Sequence, residues 1–537
     1  MANYGNSLKS RKRTPVTEPI TGTAQVPNNG GGYGYAVDDF NRLQRFLILG
    51  SDGGTYYVGE RELTVQNAQC ITRCLNSDYR RTIDTIVSIS DDGRAPKNSP
   101  AIFALAMAAA HTEGADATAC RKYALANLDK VCRIGTHLFE FLEYVTKMRG
   151  WGRSLREGVA SWYTGKESDK LAYQVIKYPQ RTVTEGKAAS AWSHKDAIRL
   201  SRPTGDAAHK AIYNYIHSGE FKSRSQSLAV IAGTEKIKSA TTVKEVCELI
   251  TKYNLPHEVV PKQFANSPEV WETLLPNLPA TALIRSLGRM QSYGLFAPFS
   301  ESAKIAIEKI SDVNWLKKSR LHPLNILIAQ RTYEQGRGTK GSLTWTPNPK
   351  ITAALEKAFY NAFDYVEPTG KNILLALDVS GSMGSPFGTF PIKSCEVAAV
   401  LAMVSLRSEE NTYVVGFSRE VVNLGITEND TLATAAAKCV MANFGCTNCG
   451  AAMEYATKHK IPVDAFVVIT DGESNSGIHP SQALREFRNR MNRNSKLAML
   501  STCATHHTIV DPNDAGMIEF QGFDTAVPAL LADFIRN

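Results

Sequence analysis

The sequence predicts a multidomain chain. A helical solenoid of stacked helix pairs occupies residues 36–366, and a doubly wound α/β domain follows over 367–537. Three observations predict this. Apolar residues recur at helical spacing almost throughout the first part, with short Gly-, Pro- or Asn-containing links and no alternating strands. Two continuous apolar runs in the second part, Ile373–Leu377 and Ala465–Ile469, each end in a polar loop, as buried parallel strands do. Finally, 537 residues are too many for a single core.

Residues 1–35 are rich in Gly, Pro, Asn and Thr and end in Asn-Asn-Gly-Gly-Gly, which reads as a disordered tail. Its Lys9, Arg11, Lys12 and Arg13 have no apolar segment after them, so no secretory signal is expected. Val37–Leu49 opens the helical part with Phe40, Leu43, Phe46 and Leu47. Ile102–Ala110 is a small-residue apolar segment. Trp151, Leu155, Val159 and Trp162 fall on one helix face, with Arg153 and Arg156 away from it. Further amphipathic segments cover Val243–Tyr253, Thr281–Met290, Pro323–Gln335 and Ile351–Phe363.

Charge separates the two parts. Residues 371–537 hold 13 Lys and Arg against 17 Asp and Glu, a net of −4, which leaves +13 for residues 1–370 of a chain whose total is +9. A basic solenoid favours a polyanion, and nucleic acid is the usual one. No apolar run approaches the ~20 residues of a transmembrane helix, so no membrane partner is expected. Ten scattered cysteines without a framework spacing fit reduced thiols in a cytoplasmic protein, with the nucleus as a second compartment in a eukaryote.

The first apolar strand runs into Asp378-Val-Ser380-Gly-Ser382 and the second into Asp471-Gly-Glu473. Between them lies a glycine-bearing loop with Thr447. Carboxylates and hydroxyls at a strand's carboxyl end form an oxygen-only donor set suited to a hard cation. This ordered set resembles the metal-ion-dependent adhesion site of von Willebrand factor A domains. The resemblance implies that Asp378, Ser380, Ser382, Thr447 and Asp471 hold a divalent ion, foremost Mg²⁺, with Ca²⁺ or Mn²⁺ as alternatives, and that the ion can accept an anionic group of a partner. A phosphatase of the haloacid-dehalogenase type needs a second aspartate where Ser380 stands, and neither a hydrolase elbow nor a phosphate-binding glycine loop is present here. No enzymatic activity is therefore expected. Cys446, Cys449, Cys503 and His506 offer an alternative zinc set, although the first pair flanks Thr447.

In the basic part, Lys177-Tyr-Pro-Gln-Arg181 is followed by Trp192-Ser-His194-Lys195-Asp196 and by Arg199 and Arg202. Cations here can neutralise phosphates, and Tyr178, Trp192 and His194 can stack on unpaired bases. Capping by Ser193 and Asp196 and core packing of Trp192 are the plain alternatives. Together with Arg45–Tyr57, Val131–Phe139, Leu278–Gly288, Arg320–Pro323, Val366–Lys371 and Gly522–Asp524, these stretches resemble the Ro autoantigen family, which carries the TROVE module.

The resemblance implies HEAT-like helices closed into a ring, with the von Willebrand factor A domain after them. It implies an RNA-binding component of a small ribonucleoprotein acting in noncoding RNA quality control. Small noncoding Y-like RNAs would bind an outer site that includes Lys177, Arg181, His194, Lys195 and Arg199. Single-stranded 3′ ends of misfolded RNAs would enter the ring cavity, where Arg285 is a candidate lining residue. A nuclease or other protein would be recruited through the metal. The link from Thr182 to Ala191 is longer than the family pattern, which bears on how an RNA duplex sits. The alternative is a metal-dependent protein-interaction scaffold with no dedicated RNA partner.

Overall fold

The structure, a computed structural model, describes residues 13–179, 192–221, 228–338, 342–363, 367–442, 445–491 and 494–537. The chain divides into two compact units, residues 68–363 and residues 1–67 together with 364–537.

The first unit is helical. The helices start and stop close to where periodicity and capping residues place them. Ser99–Ala110 packs on Gly135–Met148, and Ala117–Ala126 packs on Arg153–Thr164. Val243–Tyr253 is capped by the Thr242 hydroxyl, which accepts from the Glu245 amide. Ala280–Ser292 and Pro349–Asn361 both pack against or beside Pro323–Glu334. Helices pack both on their immediate neighbours and on helices three elements away in the chain, so the core runs between stacked helices, in keeping with the solenoid reading. The far end of this run returns to its start. Arg320 donates to the Asp91 carboxylate at 2.8 Å, and Asn325 donates to the Pro96 carbonyl at 3.2 Å.

The second unit is built on a six-stranded sheet. Its strands are β3 (Ile373–Asp378), β4 (Thr412–Phe417), β5 (Val421–Val422), β6 (Ala465–Thr470), β7 (Lys496–Ser501) and β9 (Met517–Gln521). The order is β5-β4-β3-β6-β7-β9, with β5 alone antiparallel. β3 and β6 are buried at every residue, which explains their unbroken apolar runs. The chain leaves β3 to one side for β4 and crosses to the other side for β6. The crevice of this doubly wound sheet therefore opens at the carboxyl ends of β3 and β6, where Asp378 and Asp471 stand.

The structure corrects the sequence reading at the N-terminus. Residues 13–35 are not a disordered tail, and residues 13–67 fold with the α/β unit instead of the solenoid. Lys9, Arg11 and Lys12 lie outside the described residues. β1 (Gln25–Pro27) and β2 (Tyr33–Ala36) form a hairpin, and β2 pairs antiparallel with the short β8 (His507–Thr508). Of the three glycines between them, Gly31 lies at φ +93° and the other two make close approaches. A Cβ on Gly32 would lie 2.0 Å from the Ser474 carbonyl oxygen, and one on Gly30 would lie 3.0 Å from that of Glu473. Helix Asp39–Leu49 follows, capped by Asp38 and packed on β9. Its Arg45 is fully buried, paired with both Glu519 carboxylate oxygens, and donates to the carbonyls of Thr505 at 2.8 Å and His507 at 2.9 Å.

Candidate metal centre and nucleic-acid interface

Asp378, Ser380, Ser382, Thr447 and Asp471 are all buried in the crevice of the second unit. One Asp378 oxygen accepts from the Ser380 amide at 2.9 Å, and the other accepts from the Thr470 hydroxyl at 2.5 Å. The Ser380 and Ser382 hydroxyl oxygens are 3.4 Å apart. Asp471 accepts from the Glu473 amide at 3.1 Å. Thr447 is fixed through its backbone. Its amide donates to Asn475 Oδ1, and its carbonyl accepts from the Asn475 and Ser476 amides.

Burial, and then the charge of Asp471, pushes the Asp378 carboxyl up to about 7, and burial also raises Asp471. Among the described residues neither carboxylate makes an ion pair. Two buried, mutually repelling carboxylates beside three hydroxyls have the chemistry of a hard divalent-cation site and no internal cation to balance them. The residues present fit the metal that the sequence reading implies. When bound, such an ion supplies a Lewis-acidic position for an anionic ligand.

The zinc alternative gains no support. Cys446 is exposed while Cys449 is buried beside Thr470, and the described residues contain no cluster of three or more His, Cys, Asp or Glu placed for a metal.

Sequence reasoning missed several residues around this centre. Thr470 holds Asp378. Glu473 is buried and accepts from Asn29 and Gly30 of the N-terminal hairpin. Tyr57 lies close enough that, after burial, the charges of Asp471, Glu473 and Asp378 help push its hydroxyl up to about 12. The Asp-Gly-Glu string was visible, but nothing local marks the hairpin as its neighbour.

In the helical unit, helix His194–Ser201 carries the basic face. Ser193 and Asp196 form a complete capping box, and Lys195 and Arg199, one turn apart, are both exposed. Arg202 is exposed at the left-handed cap. Arg285 is exposed on helix Ala280–Ser292. Lys177 is drawn inward, with its ammonium 3.9 Å from a Glu258 oxygen and over the rings of Tyr173 and Tyr178. Arg181 and the long link 182–191 lie outside the described residues. Trp192 is half-buried and stacks on Trp151, which favours packing for that residue.

His194 is a correction. It is 1 % exposed, so it cannot reach a base or a phosphate. Its Nδ1 is 2.7 Å from the Tyr163 hydroxyl, and Phe139 and Trp162 pack around the ring. At the first helical position the ring turns back into the core, while the next residue, Lys195, points to solvent.

Burial pushes the His194 imidazole down to about 3. Between that value and the ordinary ~6.5, the unfolded chain holds the proton and the folded chain does not. Stability therefore falls as pH is lowered through this window, by at most about 5 kcal/mol from this group. We expect the unfolding midpoint of the helical unit, followed by circular dichroism, to drop between pH 7 and pH 4. The slope should be shallower in His194→Gln. RNA affinity should show no step near pH 6.5 traceable to this ring.

Comparison with known proteins finds a family match in each part of the chain. The family model described as the TROVE domain matches residues 26–332, and the one described as the Ro60 vWA domain matches residues 372–535. The chain belongs to the Ro60 family. It is 37 % identical over 529 residues to "RNA-binding protein RO60" of Deinococcus radiodurans, covering 97 % of each chain. It is 32 % identical over 603 residues to the protein of that name from Caenorhabditis elegans, covering 98 % of this chain and 92 % of the relative. The crystal structure of the Deinococcus radiodurans Ro (RSR) protein matches with a TM-score of 0.69 at 36 % identity, over 93 % of this chain and 99 % of the other. The TROVE match begins inside β1, so in this Ro60-family chain the family sequence pattern already includes the hairpin that the compositional reading gave to a tail.

Proposed function

We propose that this chain binds RNA as the protein component of a small ribonucleoprotein. A structured, Y-like noncoding RNA lies on the basic helical surface, and single-stranded 3′ ends of misfolded RNAs are taken by a second site that includes Arg285. Its role is noncoding RNA quality control, performed by binding without turnover. The observation that carries the reading is the pair Lys195 and Arg199, exposed one turn apart on a helix whose start is locked by a capping box, within residues 1–370, whose net charge is +13. Cations presented from a capped helix can contact phosphates and fix the register of a bound nucleic acid. The family relatives named for RNA binding support it. The metal centre serves a separate task, the capture of an acidic group on a protein partner.

The test is RNA crosslinking and sequencing on the wild type and on Lys195→Ala/Arg199→Ala, with filter-binding titrations of the recovered RNA across salt. The variant should lose at least 30-fold in affinity for the dominant structured RNA. Its log–log salt slope should shrink by about 0.7–0.9 for each phosphate contact removed. Short single-stranded RNA should still bind the variant and should be weakened by Arg285→Ala. A wild type carrying no enriched RNA would sink the reading and leave the metal-dependent scaffold as the better one. RNA cleavage lost on Asp378→Ala would replace binding with catalysis.

A further inference from the structure

The five-residue tip of the N-terminal hairpin is wrapped around the segment that follows the metal-centre strand. The Asn29 amide donates to a Glu473 carboxylate oxygen at 2.7 Å, the Gly30 amide donates to the same oxygen at 2.9 Å, and Asn29 Nδ2 donates to the other at 2.8 Å. Asn28 organises the tip from within. Its Oδ1 accepts from the Gly30 amide at 3.0 Å and the Gly32 amide at 2.7 Å, while its Nδ2 donates to the Ser474 carbonyl at 2.7 Å. The space left between tip and segment admits no Cβ at Gly32.

The clasped segment positions metal-centre residues on both of its sides. On one side, Glu473 donates its amide to Asp471 at 3.1 Å. On the other, the Ser474 hydroxyl donates to the Thr447 carbonyl at 3.3 Å and accepts from the Cys449 amide at 3.3 Å. Asn475 bonds Thr447 through both its side chain and its amide, each at 2.9 Å. Residues 473–475 are thus a spacer fixing Asp471 against Thr447, and the hairpin tip is what holds that spacer. Three donors from the tip hold the Glu473 carboxylate.

The geometry points to the Asn28–Gly32 tip as a working part of the metal centre: a clamp that sets the distance between Asp471 and Thr447 and so the affinity for the divalent ion. Asn28 and Asn29 are positioning residues, since neither belongs to the donor set. The inference rests on the reading of the crevice as a cation site. Coupling of this kind is reciprocal, so an ion that gains affinity from the clamped tip tightens the tip by the same factor.

The experiment uses the full chain and Mn²⁺, followed by electron paramagnetic resonance and calorimetry, with hydrogen exchange read by mass spectrometry. Wild type, Asn28→Ala/Asn29→Ala and Asp378→Ala are compared. The clamp predicts saturable Mn²⁺ binding in the wild type, binding at least tenfold weaker in the double variant, and binding at least 100-fold weaker in Asp378→Ala. It also predicts that Mg²⁺ slows exchange of the amides in residues 28–34 of the wild type, a readout that needs no variant to fold. Wild-type Mn²⁺ affinity within twofold in a folded double variant, or exchange in 28–34 indifferent to Mg²⁺, overturns the clamp while leaving the metal site standing. A wild type that takes up no Mn²⁺, or an Asp378→Ala chain that binds it equally well, overturns the metal reading and the clamp together.

Discussion

Replacing Arg45 with alanine is expected to destabilise the α/β unit by about 3–5 kcal/mol, the range for removing one partner of a buried ion pair. Arg45 is fully buried and donates to Glu519 and to two backbone carbonyls, those of Thr505 and His507. Alanine leaves the Glu519 carboxylate without its partner and two carbonyls without donors, and it opens a cavity the length of an arginine stem. The unfolding midpoint of this unit should fall by roughly 10 °C. Arg45→Met/Glu519→Met should recover much of the loss, because apolar residues of similar volume need no partner. A single variant within about 1 kcal/mol of wild type would mean that the hairpin and helix Asp39–Leu49 dock without this pair. The helical unit, monitored by its own hydrogen exchange, should be unaffected.

Asp378→Ala is expected to lower divalent-ion affinity at least 100-fold, about 2.7 kcal/mol, while leaving RNA binding unchanged. The reason is the donor count. Asp378 and Asp471 are the two carboxylates of the centre, and the remaining donors proposed for it, on Ser380, Ser382 and Thr447, are neutral. Losing one of two charges removes about half of the electrostatic attraction for the ion. The same substitution relieves repulsion between two buried carboxylates, so the metal-free protein should be at least as stable as the wild type. That sign separates a metal-ligand role from a structural one, since a structural aspartate would lower stability when removed. Chelation with EDTA should copy the variant: capture of an acidic protein partner is lost and RNA binding survives. Parallel loss of RNA binding and partner capture would show that the two functions share a site.

What depends on near neighbours in the chain was legible in the order of residues. The apolar runs before Asp378 and Asp471 announce buried parallel strands, because a strand covered on both faces has no polar positions to show. The helices announce themselves by period and cap, as Thr242 and the Ser193–Asp196 box do. The order of carboxylates and hydroxyls around two strand ends was enough to propose a donor set, and the five residues of that set are all buried in the folded chain.

The rest depends on contacts between residues far apart in the chain. Asn29 and Glu473 are separated by 444 positions, and no local pattern joins them. The Asn-Asn-Gly-Gly-Gly stretch has the composition of a flexible tail because glycine serves two ends: freedom of the unfolded chain and close approach of folded backbones. The carbonyls of Glu473 and Ser474 select the second here. His194 was misplaced for the same reason. Its type and its basic neighbours suit RNA, but the partner that fixes its direction is Tyr163, on a helix 31 positions earlier. Residue type limits what a side chain can do, and the long-range contact that orders it decides which of those things it does.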